Sequence, residues 1–339
     1  MLKKIINYIV ETIKEEYKFI IFLFLLLCIL NYPLNYYIII GGGISDASSR
    51  VNVEEKHKSK GSFNISYVSQ LDATLLFYGL SYLVPTWERE DANLYKYTVE
   101  ENLEDIQFRS DLDLKTANGT ATYWAYTLAN KEVEETSSKL YVIATFQEEY
   151  PTELKVGDEI LGIEEITFQD VEEYSKYIQL QEIGTKIDIK IKRNKKEKIV
   201  QSEIYETEGR KLLGVSLQQV KEYKTNPKVN IKFNRSESGP SGGLVTTLEI
   251  YNQLTKKDLT KGYTIAGTGT IKEDGSIGQI GGIEHKILGA VSAKADIFLS
   301  PGGENYKDAK KYIEEKKLKI KLIKVETIQE AIEKLEGLE

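Results

Sequence analysis

A serine set among small residues, directly ahead of a helical pattern, constrains the C-terminal part of this chain more than any other feature. The segment is Gly239-Pro240-Ser241-Gly242-Gly243, and Leu244, Val245, Leu248 and Tyr251 follow at helical spacing. Pro240 fixes the entry angle, while Gly239, Gly242 and Gly243 let a substrate backbone approach closely. Free N–H groups and the dipole at a helix start favour negative charge, so a developing oxyanion could be stabilised there. A serine at that place is more often only an N-cap. To be a nucleophile it needs a base.

The candidate base lies in Gly281-Gly282-Ile283-Glu284-His285-Lys286. On a helix Lys286 shares a face with Ile283 and Ala290, with Ala293 another turn on, while Glu284 points elsewhere. Burial of that face would disfavour the ammonium. To act near neutral pH the amine must fall from about 10.4 by roughly 3 pH units, about 4 kcal/mol. The competing reading is a lysine whose stem covers apolar surface while its head reaches water. His285 projects to another face and reads as a bystander.

Around these segments, residues 208–339 alternate strand-like and helix-like stretches in an α/β manner. Val229 to Phe233, Thr264 to Ile271, Asp296 to Leu299 and Leu318 to Val325 are strand-like, and Gly242 to Lys256, Gly281 to Lys294 and Ile328 to Leu335 are helix-like. Other chemistries lack material. With only His57 and His285 there is no H-E-x-x-H zinc site and little for a serine–histidine–aspartate triad. No metal or cofactor is expected. The sequence holds no G-x-x-x-x-G-K-[ST] loop, hence no recognisable ATP motor. A net charge of −7 with scattered basic residues argues against a nucleic-acid partner. The single cysteine, Cys28, excludes a disulfide framework within the chain.

Upstream, Phe19 to Leu30 is an unbroken apolar run, interrupted by Asn31, Tyr32, Pro33, Asn35 and Tyr36-Tyr37 before Ile38 to Ile40. Together these give roughly 20 residues, about one bilayer crossing, with tyrosines where an interfacial belt would sit. Lys3, Lys4, Lys14 and Lys18 precede the run and Arg50 is the first basic residue after it. That bias predicts a cytoplasmic N-terminal segment (1–18), an uncleaved single-pass anchor (19–40) and an extracellular body at the cell membrane. A cleaved signal peptide is the competing reading.

Residues 41–60 read as a polar tether. Gly61 to Val68 alternates as a half-buried strand does, and Ala121 to Leu128 looks helical, within a mixed region (61–137) expected to pack with residues 138–205. Residues 138–205 contain Leu154-Lys155-Val156-Gly157-Asp158-Glu159-Ile160-Leu161, a helix-like Val171 to Leu180, Gly184 and the alternating Ile187 to Ile191. This string and order resemble a bacterial PDZ domain, in which glycine permits the turn and aspartate caps it. Such domains bind extended peptides by adding a strand to their sheet.

The C-terminal motifs carry a second resemblance. Gly239-Pro240-Ser241-Gly242-Gly243, Ile265-Ala266-Gly267-Thr268-Gly269-Thr270-Ile271, Asp274-Gly275, Gly278 and Gly281-Gly282-Ile283-x-x-Lys286, in that order, resemble the proteolytic domain of Lon proteases over residues 208–339. The likeness extends to the membrane-anchored, PDZ-bearing Lon-like peptidases of Gram-positive bacteria. It implies Ser241 as nucleophile, Lys286 as general base and Thr268 as the hydroxyl that holds the lysine. Gly242 stands where alanine is common, Ser238 where Lon has aspartate and Glu284 where Lon has lysine; none of these removes a catalytic atom.

The expected fold is multidomain: an N-terminal transmembrane helix, a small β-rich PDZ-like domain and a C-terminal α/β proteolytic domain. The expected function is an ATP-independent, membrane-anchored serine endopeptidase with peptide or unfolded-protein substrates, positioned by the PDZ region. The alternative is a catalytically inactive cell-surface scaffold that binds peptides.

Overall fold

The computed structural model describes residues 2–234 and 237–338, with side chains from Glu11 onward apart from Thr12. Two compact units emerge, one of residues 1–41 and 69–95, the other of residues 42–68 and 96–339. Strands Pro33–Asp46 and Ser62–Thr74 each contribute residues to both.

In the smaller unit a helix runs from Leu2 to Leu30 and stops three residues before Pro33, whose ring disfavours helix in the residue before it. The aromatic and β-branched run after it enters strand Pro33–Asp46, where Tyr36 to Ile39 pair antiparallel with Asp91 to Glu88. Ile38 and Ile39 are buried, and Tyr37 meets Tyr95 edge-on at 5.2 Å. A short helix, Leu75–Leu80, is capped by the Thr74 hydroxyl on the Phe77 N–H.

This corrects the expected anchor. Among the described residues no helix is long and apolar enough to cross a membrane. Phe19–Leu30, at ~1.5 Å per residue, spans roughly 18 Å against the ~30 Å of a hydrocarbon core. Lys14, Glu15, Glu16 and Lys18 crowd the preceding turns, and Ile38–Ile40, needed to complete the span, are in a strand. The transmembrane element of the expected fold and the single-pass location built on it are therefore not supported. Lys3 and Lys4, which entered the orientation argument, lie outside the residues whose side chains are described.

The larger unit builds its cores on two sheets. One is a parallel sheet in the order Lys321–Val325, Ile297–Pro301, Thr264–Gly267, Ser62–Thr74. Side chains alternate across it. Ile265, Ile297 and Leu299 face the helices Gly243–Leu254 and Ile328–Glu336, through Leu244, Val245, Leu248, Ile328 and Leu335. Ala266 and Phe298 face the helices Ile283–Ser292 and Gly303–Lys316, through Ile283, Ile287, Ala290 and Ala309. The sheet thus has one helix pair on each face, and the helices following Ser241 and containing Lys286 belong to opposite faces.

Helix Leu103–Leu128 starts with a capping box of Asn102 and Asp105 and buries Ala121, Ala125 and Tyr126 in the first of these cores. Residues expected to be a tether also join it. Val51 and Val53 pair with Ile231 and Val229 and are buried, as is Ala47.

The other is an antiparallel sheet ordered Val215–Asn226, Glu132–Thr145, Glu159–Ile163, Lys186–Arg193, Lys196–Glu203. Helix Val171–Leu180 covers it through Ile178, and Ile187, Ile189 and Ile191 point inward while Lys186, Asp188 and Lys190 face water. At the Lys155-Val156-Gly157-Asp158 turn, Gly157 has φ 91° and the buried Asp158 carboxylate accepts the Lys155 N–H and pairs with Arg193. The sheet is wider than the PDZ-like span expected from sequence, because its first two strands come from 132–145 and 215–226.

One buried acid sits behind the serine. Glu249, 4 % exposed on helix Gly243–Leu254, accepts the Gln253 side-chain amide, which also donates to the Val51 carbonyl. Burial pushes Glu249 up to about 7, with Asp46 and Asp258 adding to it and Gln253 and Lys56 opposing it. A folded value above the unfolded one adds stability at low pH, and that stability is lost as pH rises through about 7. The loss is on the order of 3 kcal/mol. Glu249→Gln keeps an oxygen for Gln253 and removes the charge. It should raise stability at pH 8 by about 1–3 kcal/mol and leave it nearly unchanged at pH 4, as read by urea unfolding at both values.

Candidate active site

The chain crosses from one face of the parallel sheet to the other at the carboxyl end of strand Thr264–Gly267, where ligand sites of α/β sheets gather. Thr268, fully buried, follows that strand directly. Its Oγ1 lies 3.1 Å from the Ser241 carbonyl, and the Gly269 N–H donates to the same oxygen at 2.8 Å. Strand and serine segment are therefore stitched together through the backbone of Ser241, leaving its side chain free to face elsewhere.

The serine segment has a defined shape. Gly239 adopts φ 80°, a value that L side chains rarely adopt, and its N–H donates to the Ser110 carbonyl at 3.1 Å. The Gly243 N–H returns to the Pro240 carbonyl and the Leu244 N–H goes to Gly269. Gly242 occupies the N-cap position and no side chain caps the helix, so the Ser241 hydroxyl is not a cap. A Cβ on Gly243 would stand 2.9 Å from the Ile271 amide nitrogen, so only glycine fits the tight packing there.

Lys286 comes from the opposite face, in the first turn of helix Ile283–Ser292, and is 3 % exposed. Its Nζ is 3.0 Å from Ser241 Oγ and 3.0 Å from Thr268 Oγ1. Burial lowers its pKa to about 8. A hydroxyl within hydrogen-bond reach of a largely desolvated amine can pass its proton to that amine, which is how a serine becomes a nucleophile without histidine.

All the residues singled out in sequence are present at this place: Ser241, Lys286 and Thr268 in mutual contact, Gly239, Pro240 and Gly242 shaping the turn. Ile283 and Ala290 share the buried face with the lysine, whereas Ala293 is exposed beyond the helix end and Glu284 faces water. His285 is buried. Among the described residues no group of three or more His, Cys, Asp or Glu comes together to hold a metal.

Strand Ser62–Thr74 supports both helices and was missed as part of the site. Ile65 lies under Gly242, Val68 beside Gly282, and the buried Ser66 hydroxyl donates to the Lys286 carbonyl at 2.9 Å. The alternation of 61–68 marked a strand. Nothing local tells that it pairs with Thr264–Gly267, some two hundred residues later.

No curated protein matches the chain. Among solved structures, the PDZ domain of the SdrC-like protein from Listeria monocytogenes is similar at 21 % identity, covering 23 % of this chain and 85 % of that chain, with a TM-score of 0.20. Ser241, Thr268 and Lys286 all fall within residues 221–336, about a third of the chain, and that segment matches the family model of the Lon protease (S16) C-terminal proteolytic domain, which supports a serine peptidase.

Proposed function

We propose that this protein is a serine endopeptidase in which Ser241 is the nucleophile and Lys286 the general base. The observation that carries the reading is the 3.0 Å approach of a buried amine, with its pKa lowered to about 8, to a hydroxyl that caps no helix. Neutral Lys286 takes the Ser241 proton as Oγ adds to the peptide carbonyl. The resulting ammonium gives that proton to the departing amine, leaving an acyl-enzyme, and the lysine amine then activates water to release the acid. Thr268 fixes the lysine head by accepting from Nζ while it donates to the Ser241 carbonyl.

The oxyanion falls at the entrance to helix Gly243–Leu254. There the N–H groups of Ser241 and Gly242 precede those already engaged by Pro240 and Gly269. Substrates are flexible peptides or unfolded segments, since the sequence holds no motor loop with which to pull folded domains apart. Val215–Asn226 is the terminal strand of its sheet among the described residues; helix Leu103–Leu128 packs against it from Gln218 to Tyr223, so Val215 to Leu217 is the stretch that suits strand addition by such a peptide.

A serine-reactive fluorophosphonate tests the assignment. The expected result is a single adduct on Ser241, mapped by mass spectrometry and absent after Ser241→Ala. An adduct on another serine, or none on folded protein at pH 9, would refute it.

A further inference from the structure

Within the 221–336 segment Thr268 and Gly269 hold the Ser241 carbonyl, but residues outside that segment hold the chain that leads into it. Between strand Val229–Ile231 and Ser241 the chain leaves regular structure, and contacts with Arg50 and Ser110 anchor its described residues. The Lys232 N–H donates to the Arg50 carbonyl at 2.9 Å, and the Gly239 N–H donates to Ser110. Between them, Glu237 forms a two-pronged pair with Arg50, Nε to Oε2 at 3.1 Å and Nη2 to Oε1. The Arg50 guanidinium also lies 5.8 Å from the Phe233 ring and donates to the Ser45 hydroxyl.

Both partners are largely withdrawn from water, with side chains 12 % and 26 % exposed. A paired, charge-assisted fork in that setting is far less screened than a surface ion pair, and it fixes orientation as well as distance. The carboxylate is also wired into the excursion itself. Glu237 Oε2 accepts the Asn234 N–H at 3.0 Å, and the Glu237 N–H returns to the Asn234 carbonyl at 3.0 Å. A carboxylate four residues before the serine is thereby clamped to an arginine nearly two hundred residues away in sequence. Arg50 is itself placed by Val51 and Val53, which pair with Ile231 and Val229 and are buried in the core.

We infer that Arg50 is a positioning residue for the nucleophile: through Glu237 it sets the path of the chain into Gly239-Pro240-Ser241, and so the approach of Ser241 Oγ to Lys286. This rests on the reading of Ser241 as nucleophile. A displacement of about 1 Å at a reacting atom can cost on the order of 100-fold in rate, so loosening the clamp should be visible in chemistry before it is visible in folding.

The test uses the full chain and compares Arg50→Met, Arg50→Lys, Arg50→Glu and the charge swap Arg50→Glu with Glu237→Arg. Fluorophosphonate labelling and peptide hydrolysis are read beside the melting temperature. Arg50→Met should lower kcat and the labelling rate of folded protein about 10- to 100-fold, with KM within about threefold and the apparent pKa of the rate profile unmoved, because the lysine side is untouched. Arg50→Lys should recover part of the loss, and the charge swap should recover most of what Arg50→Glu alone removes. Wild-type labelling rates in folded Arg50→Met, or a charge swap no better than Arg50→Glu, would overturn the inference while leaving the Ser241 assignment intact. Absence of labelling in the wild type would instead remove the nucleophile on which it rests.

Discussion

Ser241→Ala is expected to abolish peptide hydrolysis, lowering kcat by roughly 10⁴-fold or more while leaving the fold unchanged. The magnitude follows from the chemistry, because without Oγ no acyl-enzyme forms and only uncatalysed attack by water at a bound peptide remains. The unchanged fold follows from the surroundings. The Ser241 hydroxyl caps no helix, and the contacts that stitch this segment to the sheet run through its carbonyl, to Thr268 and Gly269. Removing one oxygen leaves those bonds in place and leaves Lys286 with its Thr268 partner. The melting temperature should shift by less than about 2 °C. An unfolded protein such as reduced casein, digested and analysed by mass spectrometry, supplies the readout. Retention of more than about 1 % of wild-type kcat by the variant would exclude Ser241 as the nucleophile.

Sequence alone made the two helices that carry the candidate residues legible, because their patterns are local. The spacing of Leu244, Val245, Leu248 and Tyr251 and of Ile283, Lys286 and Ala290 defines two helices with buried faces, with Ser241 just ahead of the first and Lys286 inside the second. What was not legible is how distant segments meet. The pairing of Ser62–Ile65 with Thr264–Gly267 and the fork between Arg50 and Glu237 join parts of the chain separated by about two hundred residues, and no local pattern encodes register across such a gap. The apolar run near the N-terminus failed for another reason. Hydropathy summed Phe19–Leu30 with Ile38–Ile40 as if one helix continued, although Pro33, the tyrosine pair and three successive isoleucines are strand signals. Propensity and hydropathy taken together end the helix ahead of Pro33.

Lys286→Met should cost nearly as much activity as loss of the serine, about 10³-fold or more in kcat, and should at the same time make the protein more stable at pH 7. The two effects share one cause. Burial lowers the lysine to about 8 from an ordinary value of 10.5, so the folded protein binds this proton less tightly than the unfolded chain does. Stability therefore rises with pH across the window between those values, and below it the folded state carries a cost on the order of 3 kcal/mol. Methionine fills similar volume without charge. It removes that cost but leaves the Ser241 and Thr268 hydroxyls short of one partner each, so a net gain of about 1–2 kcal/mol is expected at pH 7, fading toward zero or below at pH 10. The wild-type rate should follow the neutral amine: at pH 6 about 1 % of Lys286 is unprotonated and at pH 8 about half, so kcat/KM should climb roughly 50-fold between them and level off above pH 9. A variant that is inactive and less stable at pH 7, or a wild-type profile flat from pH 6 to 9, would mean that this amine is not the base. Inactivity with increased stability would instead mark a group kept in an unfavourable place because the reaction needs it there.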